Sequence, residues 1–425
     1  MIRSRLVIAL AAVAALLLAS CGGKAGNASG PTEIAVWNGF TDASATNFAA
    51  LIDRYNKDHP DVRVTQLMTS NDLVLQKVLT AVRGGSPPDI AYMYGSWAPN
   101  IAEIPTVTDL SGYVSQPGWN WDDFYPAERA AATVGDKVVG VPALVDNLAV
   151  VYNKSLFAEA GIAPPTKEWT WDDFRAAAAK LTNSKGQYGT LISGDGSEDT
   201  VWHYLPMLWG AGGDILSPDN QRAVFNSAAG VRALTTLQQM AVTDKSIYVD
   251  ATNANGVNLM NSGKIGMLVT GPWDLPSFTD IEYGVQVLPA YPGSDEGHQT
   301  ISGPDNWVIF DNGSERQKAA LDFVKWITAA PQIQSTSAAT GELPTRTSVG
   351  QDPALVAELT QKVPGTETFI ENLSNVKKAR PTVPQYPTIS QALGQAIVSV
   401  LLGTAQPADA LNTAAQAADA ALAGK

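Results

Sequence analysis

Short apolar runs with the composition of strands alternate with amphipathic helical patterns along most of the chain. Residues 34–37, 62–66 and 88–92 read as buried strands. Between them, residues 47–58 and 73–82 carry apolar side chains at the spacing of one helix face. Strands that alternate with helices predict an α/β fold with largely parallel sheets.

The chain is also too long for a single hydrophobic core. Its 425 residues predict two lobes, because one core rarely organises more than about 250–300 residues. The 28 basic and 41 acidic side chains give a formal charge of −13, which becomes −15 if an N-terminal leader with two arginines is removed. A field of this sign repels phosphate, and no basic stretch is interleaved with aromatics, so nucleic acid is excluded as a partner.

The N-terminal segment has the features of a secretory signal. Two arginines precede an apolar run over residues 6–19, which is too short to span about 30 Å of hydrocarbon. Residues 18–21 resemble the lipobox of bacterial lipoproteins, which implies removal of residues 1–20 and a diacylglyceryl group on Cys21. Residues 21–31 would then be a lipidated, glycine-rich tether. An ordinary secretory signal with an incidental thiol is the alternative.

Motifs for catalysis, metals and cofactors are weak. The three histidines are far apart, and none has a second histidine or a cysteine at the spacing of zinc ligands. Residues 194–199 complete neither the nucleophile turn of a serine hydrolase nor a calcium loop, which favours a solvated acidic loop. No Gly-rich phosphate loop occurs. We therefore predict no metal, no cofactor, no catalytic residue and no enzyme activity.

A tryptophan-rich hexapeptide occurs twice, at residues 119–124 and 169–174. Each copy fits a helix start, with Asn120 or Thr170 as the N-cap and two aspartates in the first turn. The leading tryptophan would pack on the closing phenylalanine as a hydrophobic staple. A catalytic carboxylate pair is the alternative, but adjacent residues on a helix point about 100° apart, so the structural role is predicted.

Aromatic and amide residues recur in loops at strand ends, next to glycines that let a ligand approach. These segments are 37–41, 94–97, 146–147, 202–209, 271–273 and 303–307. A pyranose offers apolar C–H faces to aromatic rings, and its hydroxyls bond to Asp and Asn side chains. A carbohydrate is therefore the predicted ligand, although each aromatic residue taken singly also fits a core position.

Over residues 31–425 the chain resembles the family 1 extracellular solute-binding proteins, the receptors of bacterial ABC importers. The order and spacing of six segments carry the resemblance: 34–41, 88–91, 140–154, 169–174, 263–273 and 341–346. It implies the two-lobe, type II α/β fold of periplasmic binding proteins, with a ligand cleft between the lobes. Crossover segments are expected near residues 145–148, 301–304 and 345–349. The first lobe would cover 31–145 plus 302–347, and the second 146–301 plus 348–425.

The resemblance also implies ligand-binding residues in both lobes. The first lobe and the crossovers would present Asn38, Phe40, Thr41, Tyr94, Trp97, Asp146, Asn147, Asp305 and Trp307. The second lobe would present Trp202, Trp209 and Trp273. Among these, Trp202 and Trp273 match stacking aromatics, and Asp146 matches a carboxylate that accepts from sugar hydroxyls. Arg346 is either a ligand donor or a structural ion-pair residue.

The function implied is that of a monomeric lipoprotein on the extracytoplasmic face of the cell membrane. It would capture a mono- or oligosaccharide by lobe closure and deliver it to the permease subunits of an ABC transporter. Two alternatives stay open. One is a receptor for a polyol or a glycerol phosphodiester. The other is a secreted glycoside hydrolase, for which Asp146 and Asp305 are the only candidate carboxylate pair.

Overall fold

The computed structural model describes residues 30–252 and 254–424. The signal peptide 1–20, Cys21 and residues 22–29 of the tether lie outside the described residues, and what we expect of them stays a prediction. Within the described part of the chain, no helix is both long and apolar enough to cross a membrane.

The strands are short, and most belong to two sheets. They are β1 Thr32–Asn38, β2 Val62–Met68, β3 Ile90–Tyr94, β4 Thr133–Val134, β5 Lys137–Val138, β6 Val141–Leu144, β7 Ala149–Asn153, β8 Thr190–Ser193, β9 Ile247–Asp250, β10 Met267–Thr270, β11 Tyr283–Val287 and β12 Asp305–Ile309.

Helices surround these sheets and make up most of the C-terminal quarter. They are α1 Asp42–Asp58, α2 Asn71–Arg83, α3 Ala98–Ala102, α4 Ser111–Val114, α5 Pro126–Ala131, α6 Lys154–Glu159, α7 Trp171–Leu181, α8 Glu198–Gly210, α9 Ala228–Gln238, α10 Gly256–Asn261, α11 Ser314–Ile327, α12 Ala330–Thr340, α13 Thr347–Gly350, α14 Pro353–Lys362, α15 Thr366–Asn372, α16 Tyr386–Leu401 and α17 Pro407–Leu422. Short 3₁₀ turns cover Gly95–Trp97, Trp121–Asp123, Pro272–Ser277 and Leu373–Asn375, and a π-turn covers Gln239–Thr243.

The first sheet has the strand order β2-β1-β3-β12-β6. β1 is parallel to β2 and β3, whereas β12 is antiparallel to β3 and β6. In the second sheet β7 lies between β10 and β11 and is antiparallel to both. The prediction of largely parallel sheets therefore holds for the first three strands and for the separate pair of β8 and β9, but it is wrong for β12 in the first sheet and for the whole second sheet. β12 and β7 enter their sheets from the other half of the molecule, not through the helical crossover that a parallel neighbour needs.

The central strands of both sheets are buried on both faces. In β3, Ile90 and Tyr92 join a core with α1 and α11, while Ala91 and Met93 join a second core with α2 and α3. The same alternation recurs in β7, whose residues pack on α7 and α8 on one side and on α10 and α15 on the other. Period-two alternation between two apolar layers explains why these strands are apolar throughout.

Three chain segments run side by side between the two sheets. β6 leads into β7 through residues 145–148, and in this segment Asn147 pairs with Ser302 while Val145 pairs with Leu343. Residues 145–148 and Ser302 lie at two of the expected crossovers. Leu343, in the third segment, lies two residues before the expected 345–349. The two-lobe α/β fold is confirmed, whereas the residue limits of the lobes stay a prediction.

The two tryptophan hexapeptides fold differently. Thr170 forms a capping box with Asp173 and begins α7, and Trp169 packs edge-on against Phe174 with ring centroids 5.6 Å apart, as predicted. The prediction is wrong for the first copy. Asn120 adopts φ 47° and makes no capping bond, and only a 3₁₀ turn follows. Its left-handed backbone is incompatible with the extended conformation of an N-cap.

Candidate functional site

A cavity of about 520 Å³ lies between the two lobes. The first lobe contributes the loop after β1, the start of α2 and the end of β3. The second lobe contributes β8, the first two turns of α8 and the 3₁₀ turn after β10. Its volume is that of a site for a small molecule, and its position at the junction of two lobes is where such sites occur.

Seven of the predicted ligand-binding residues line this cavity. They are Phe40, Thr41, Tyr94, Asp146, Trp202, Trp273 and Asp305. They come from both lobes and from two of the crossing segments, so the structure brings together residues that are more than 250 positions apart in the chain.

Two tryptophans form an aromatic wall on the second lobe. The rings of Trp202 and Trp273 have centroids 5.9 Å apart and an interplanar angle of 32°. The Trp202 side chain is buried, yet its Nε1 has no hydrogen-bond partner among the described residues. Gly271 allows the Trp273 ring to lie close, because a Cβ at this glycine would be 1.8 Å from the ring. A planar ligand face can stack here while a ligand oxygen accepts from the indole N–H.

Asp146 and Asp305 lie where the crossing segments meet the cavity. Asp146 Oδ1 accepts from the backbone N–H of Gly303 at 2.9 Å, and Asp305 Oδ2 accepts from Tyr92 Oη at 2.5 Å. Burial and the neighbouring charge of Asp305 raise the pKa of Asp146 well above its ordinary value. Burial also raises the pKa of Asp305, to about 7. Carboxylate oxygens accept hydrogen bonds from hydroxyl and N–H groups. Asp305 Oδ1 has no partner among the described residues, so it is free to accept from a ligand.

Two further carboxyls extend this acidic surface. Glu342 accepts from Ser44 Oγ at 3.1 Å, and burial raises its pKa to about 8. Asp274 accepts from Thr270 Oγ1 at 2.6 Å, and burial raises its pKa to about 6. Both residues line the cavity, and the sequence reasoning missed both.

Arg380 joins the two walls of the cavity. Its guanidinium donates to Glu198 Oε1 at 3.0 Å and lies 5.6 Å from the ring centroid of Tyr94 on the opposite lobe. Tyr386 and Ser390 also donate to the Glu198 carboxylate. Although burial lowers the pKa of Arg380, the charge of Glu198 outweighs it and the pKa is raised. Arg380 is therefore a fixed cation whose charge is already compensated.

A second cation, His203, is held in the same way. Its Nδ1 lies 2.9 Å from the carbonyl of Asp199 and 3.3 Å from the Oδ2 of that carboxylate. Burial lowers the pKa of His203, but the charge and hydrogen bonds of Asp199 outweigh it and raise the pKa to about 9. On the facing lobe, burial followed by the charge of Asp199 raises the pKa of Asp72 to about 7.

Two predicted amides support loops and do not line the cavity. Asn38 is fully buried, donates to Gln66 Oε1 at 3.2 Å and accepts from the N–H of Phe40. Asn147 donates to the carbonyl of Phe369 at 2.9 Å, and its own oxygen accepts from Asn372 at 2.8 Å. The side-chain amides of both residues bond to other groups of the protein, so they stabilise the segments next to the cavity and do not contact a ligand.

Three predicted tryptophans lie in the cores. Trp97 packs beside Tyr94 in the core on the α2 side of the first sheet, and Trp307 stacks on Phe48 at 5.3 Å in the core on the other side. Trp209 is fully buried in the second lobe and donates to Asp214 at 3.2 Å. None of the three reaches the cavity surface.

Arg346 is structural. Its guanidinium donates to the carbonyls of Thr328 at 2.5 Å, Asn120 at 2.9 Å and Trp119 at 3.1 Å, and lies 3.4 Å from Asp123. It is buried outside the cavity lining, so of the two interpretations the geometry matches the ion pair and not a ligand donor.

The acidic segment 194–199 is more than a solvated loop. Asp195 is exposed, as expected, but Glu198 and Asp199 begin α8, and all three carboxyls line the cavity. The signal that could have found them is the serine N-cap at Ser197 followed by two acids, which places both carboxylates in a first turn. Among the described residues, no group of three His, Cys, Asp or Glu side chains could hold a metal ion.

The two lobes, their crossing segments and the cavity between them define a solute-binding protein. Residues 41–334 match the family described as "Bacterial extracellular solute-binding protein", and the chain belongs to that family. It is a binding protein and not an enzyme, which confirms the prediction and removes the glycoside hydrolase alternative.

Solved structures and a curated relative agree with this assignment. The cyclic alpha-maltosyl-1,6-maltose binding protein of Arthrobacter globiformis is 30% identical with a TM-score of 0.73, over 93% of this chain and 100% of that one. The GacH receptor of Streptomyces glaucescens, solved unliganded and with acarbose, is 26% identical with a TM-score of 0.81, over 92% and 99%. A lipoprotein encoded in the oleD 5' region of Streptomyces antibioticus is 27% identical, over 83% of this chain and 79% of the relative.

Proposed function

We propose that this protein is the carbohydrate receptor of an ABC importer. The observation that carries the proposal is the pairing, across one cavity, of the Trp202 and Trp273 rings with the carboxyls of Asp146, Asp305 and Glu342. The rings suit the C–H face of a sugar, and the carboxyls suit its hydroxyls. The two similar structures described above are a maltosyl-saccharide binder and an acarbose receptor.

Lobe closure follows from how the site is divided. Tyr94 and Asp72 belong to the first lobe, whereas Trp202 and Trp273 belong to the second. A ligand that touches both walls binds the closed arrangement better than the open one, and only that difference in affinity shifts the population. The crossing segment that contains Asp146 connects the two lobes and also lines the cavity. A ligand that contacts Asp146 therefore contacts the segment about which the lobes close.

A glycerol phosphodiester fits this cavity poorly. The basic side chains in the lining are Arg380 and His203, and each is already paired with a carboxylate. A phosphate placed here would meet the charges of Asp199, Asp305 and their neighbours without a free cation to compensate. A polyol is not disfavoured in this way, because its hydroxyls make the same contacts as those of a sugar.

Attachment at Cys21 completes the proposed function. A diacylglyceryl group on this residue, followed by the glycine-rich segment to residue 31, would hold a monomeric receptor near its permease on the extracytoplasmic face. The Streptomyces antibioticus relative is named as a lipoprotein, which supports the anchor.

A ligand screen tests the proposal. Purified protein lacking residues 1–20 is screened by thermal shift with neutral mono- and oligosaccharides and with matched polyols, since a ligand raises stability by RT ln(1 + [L]/Kd). We expect saturable binding of a saccharide without products. The Trp202→Ala variant should lose the shift, while Trp326→Phe, a conservative change outside the cavity, should keep it. Saturable binding of polyols alone, or product formation, would overturn the proposal.

A further inference from the structure

The cavity contains far more acid than a neutral sugar needs. Nine carboxyl side chains line it, against the two basic groups of Arg380 and His203. Each basic group is paired with a carboxylate of its own, Glu198 at 3.0 Å and Asp199 at 3.3 Å. Seven carboxyls therefore face the cavity with no cation of the lining bonded to them.

Three of these carboxyls form what we call the hinge triad: Asp146, Asp305 and Glu342. Each belongs to a different crossing segment, because Asp146 lies between β6 and β7, Asp305 begins β12, and Glu342 precedes the bridge of Leu343 to Val145. Their charges act on one another, since Asp305 raises the pKa of both Asp146 and Glu342. The charge of Arg380 opposes this at Asp146 and Asp305, but its hydrogen bond goes to Glu198.

Two oxygens of the hinge triad are unpartnered. Asp305 Oδ1 and Glu342 Oε2 have no hydrogen bond within the described residues. Water does not replace the missing donors freely, because both residues are only 5% exposed. Their sister oxygens accept from Tyr92 and Ser44. A buried carboxylate oxygen without a donor is destabilising, and both of these oxygens belong to residues that line the cavity.

A neutral hydroxyl group of a ligand would satisfy only part of the hydrogen-bonding and charge requirements of the hinge triad. It donates one hydrogen bond and leaves the mutual repulsion of the triad unchanged. An ammonium group has three donors and a positive charge, so it can donate to more than one carboxyl oxygen and also compensate the repulsion. A metal ion is a poor alternative, because no side-chain group among the described residues has the geometry to hold one.

We infer that the natural ligand is an amine-bearing saccharide, with its ammonium group bound between Asp305 and Glu342 and a sugar ring on Trp202 and Trp273. This inference rests on the proposed carbohydrate function and narrows its substrate class. Because Asp305 and Glu342 belong to two different crossing segments, an ammonium bound between them would also link those two segments.

Proton release accompanies such binding. Burial raises the pKa of Asp305 to about 7 and that of Glu342 to about 8, so both carboxyls hold protons in part of the free protein near neutrality. A bound cation favours their ionised forms and lowers both pKa values. Affinity for the amine therefore rises as the pH approaches these values from below, over the range in which the amine itself stays protonated.

Calorimetry with matched sugars tests the inference. Each pair or triplet keeps one ring and changes one group: glucose, glucosamine and N-acetylglucosamine, the galactose and mannose series, and the β-1,4-linked disaccharides of glucose and of glucosamine. We expect an amine member to bind about tenfold or more tightly than its hydroxyl and N-acetyl counterparts. Titrations in buffers of different ionisation enthalpy should show proton release for the amine alone.

Variants assign the preference to the triad. Glu342→Gln keeps the shape and removes the charge, so it should weaken binding of the amine about tenfold more than it weakens binding of the matched hydroxyl sugar. Asp305→Asn gives the same test if the first variant does not fold. Glu128→Gln is the matched control, since Glu128 is a buried carboxyl with a pKa raised to about 8 that does not line the cavity.

The outcomes separate the two proposals. If neutral sugars bind as tightly as their amine counterparts, or if Glu342→Gln and Asp305→Asn leave the preference intact, the amine inference is wrong and the carbohydrate function stands. If neither kind of sugar in the panel binds, both proposals fail.

Discussion

Replacing Gly271 by alanine should weaken sugar binding although Gly271 offers no side chain to the ligand. A Cβ here would lie 1.8 Å from the six-membered ring of Trp273, so the indole must move. The φ of Gly271 is −98°, a value that alanine adopts without strain. The substitution therefore displaces one ring of the aromatic wall without deforming the strand before it.

The expected loss follows from the area that a sugar covers on the ring. A tryptophan buries about 150–250 Å² in all, and one face is roughly 60 Å² of that. At about 25 cal/mol per Å² this face is worth about 1.5 kcal/mol, or roughly a tenfold change in Kd. Trp273→Ala should lose at least as much, because it removes the ring and also exposes Trp202, which it contacts.

Titration calorimetry of both variants with the best saccharide from the screen measures this loss. Gly213→Ala is not a suitable control, since a Cβ there would meet the Leu208 side chain at 2.5 Å. Gly112→Ala is suitable, because a Cβ there meets no atom within 4 Å. Unchanged affinity in both Gly271→Ala and Trp273→Ala, with folding intact, would refute the stacking argument.

Three further predictions address stability, pH and attachment. Arg346→Met should lower the free energy of unfolding by about 3 kcal/mol, because three backbone carbonyls lose the hydrogen bond that the guanidinium donates. Urea denaturation measures this loss, and a change in ligand affinity at unchanged stability would contradict the structural role. The melting temperature of the ligand-free protein should fall between about pH 5 and about pH 8. Burial raises the pKa of Asp305 to about 7 and of Glu342 and Glu128 to about 8, so stability that is fully present below the unfolded pKa is lost as pH rises through these values; a melting temperature that rises over this range would show that the carboxyls are not protonated in the fold. Cys21→Ala should release the protein from the membrane with its affinity unchanged, and retention in a membrane fraction after this change would argue against the lipid anchor.

Local sequence patterns predicted the elements of the first lobe well. The strand pattern at 34–37 belongs to β1, the pattern at 62–66 to β2, and the helical patterns at 47–58 and 73–82 to α1 and α2. Strand direction was not predictable in the same way. β12 lies between β3 and β6, antiparallel to both, and that pairing joins segments about 160–220 positions apart with no local signal.

The two tryptophan hexapeptides show where local reasoning stops. Both have the same pattern of residue types, yet only Thr170 caps a helix. In the other copy, the Arg346 guanidinium donates hydrogen bonds to the carbonyls of Trp119 and Asn120. The hydroxyls of Thr347 and Ser348 donate to the Asp123 carboxylate. Tertiary contacts from a segment more than 220 residues away thus hold Asn120 in a conformation that a cap cannot use.

The two tryptophans of α8 show why residue types in loops and helices predict the kind of ligand better than they predict which individual residues line the cavity. Trp202 and Trp209 are seven residues apart, so they lie on nearly the same helix face but about 10.5 Å apart along the axis. Only the N-terminal half of α8 meets the cavity, where Glu198, Asp199, Trp202 and His203 lie together. Trp209 continues into the core and bonds to Asp214. Which turn of a helix reaches a cavity depends on where the opposite lobe ends, and that boundary is fixed by Tyr94 and Asp72, which the chain brings in from more than 100 residues away. The acids of that first turn are therefore part of the binding surface because of the lobe that they face.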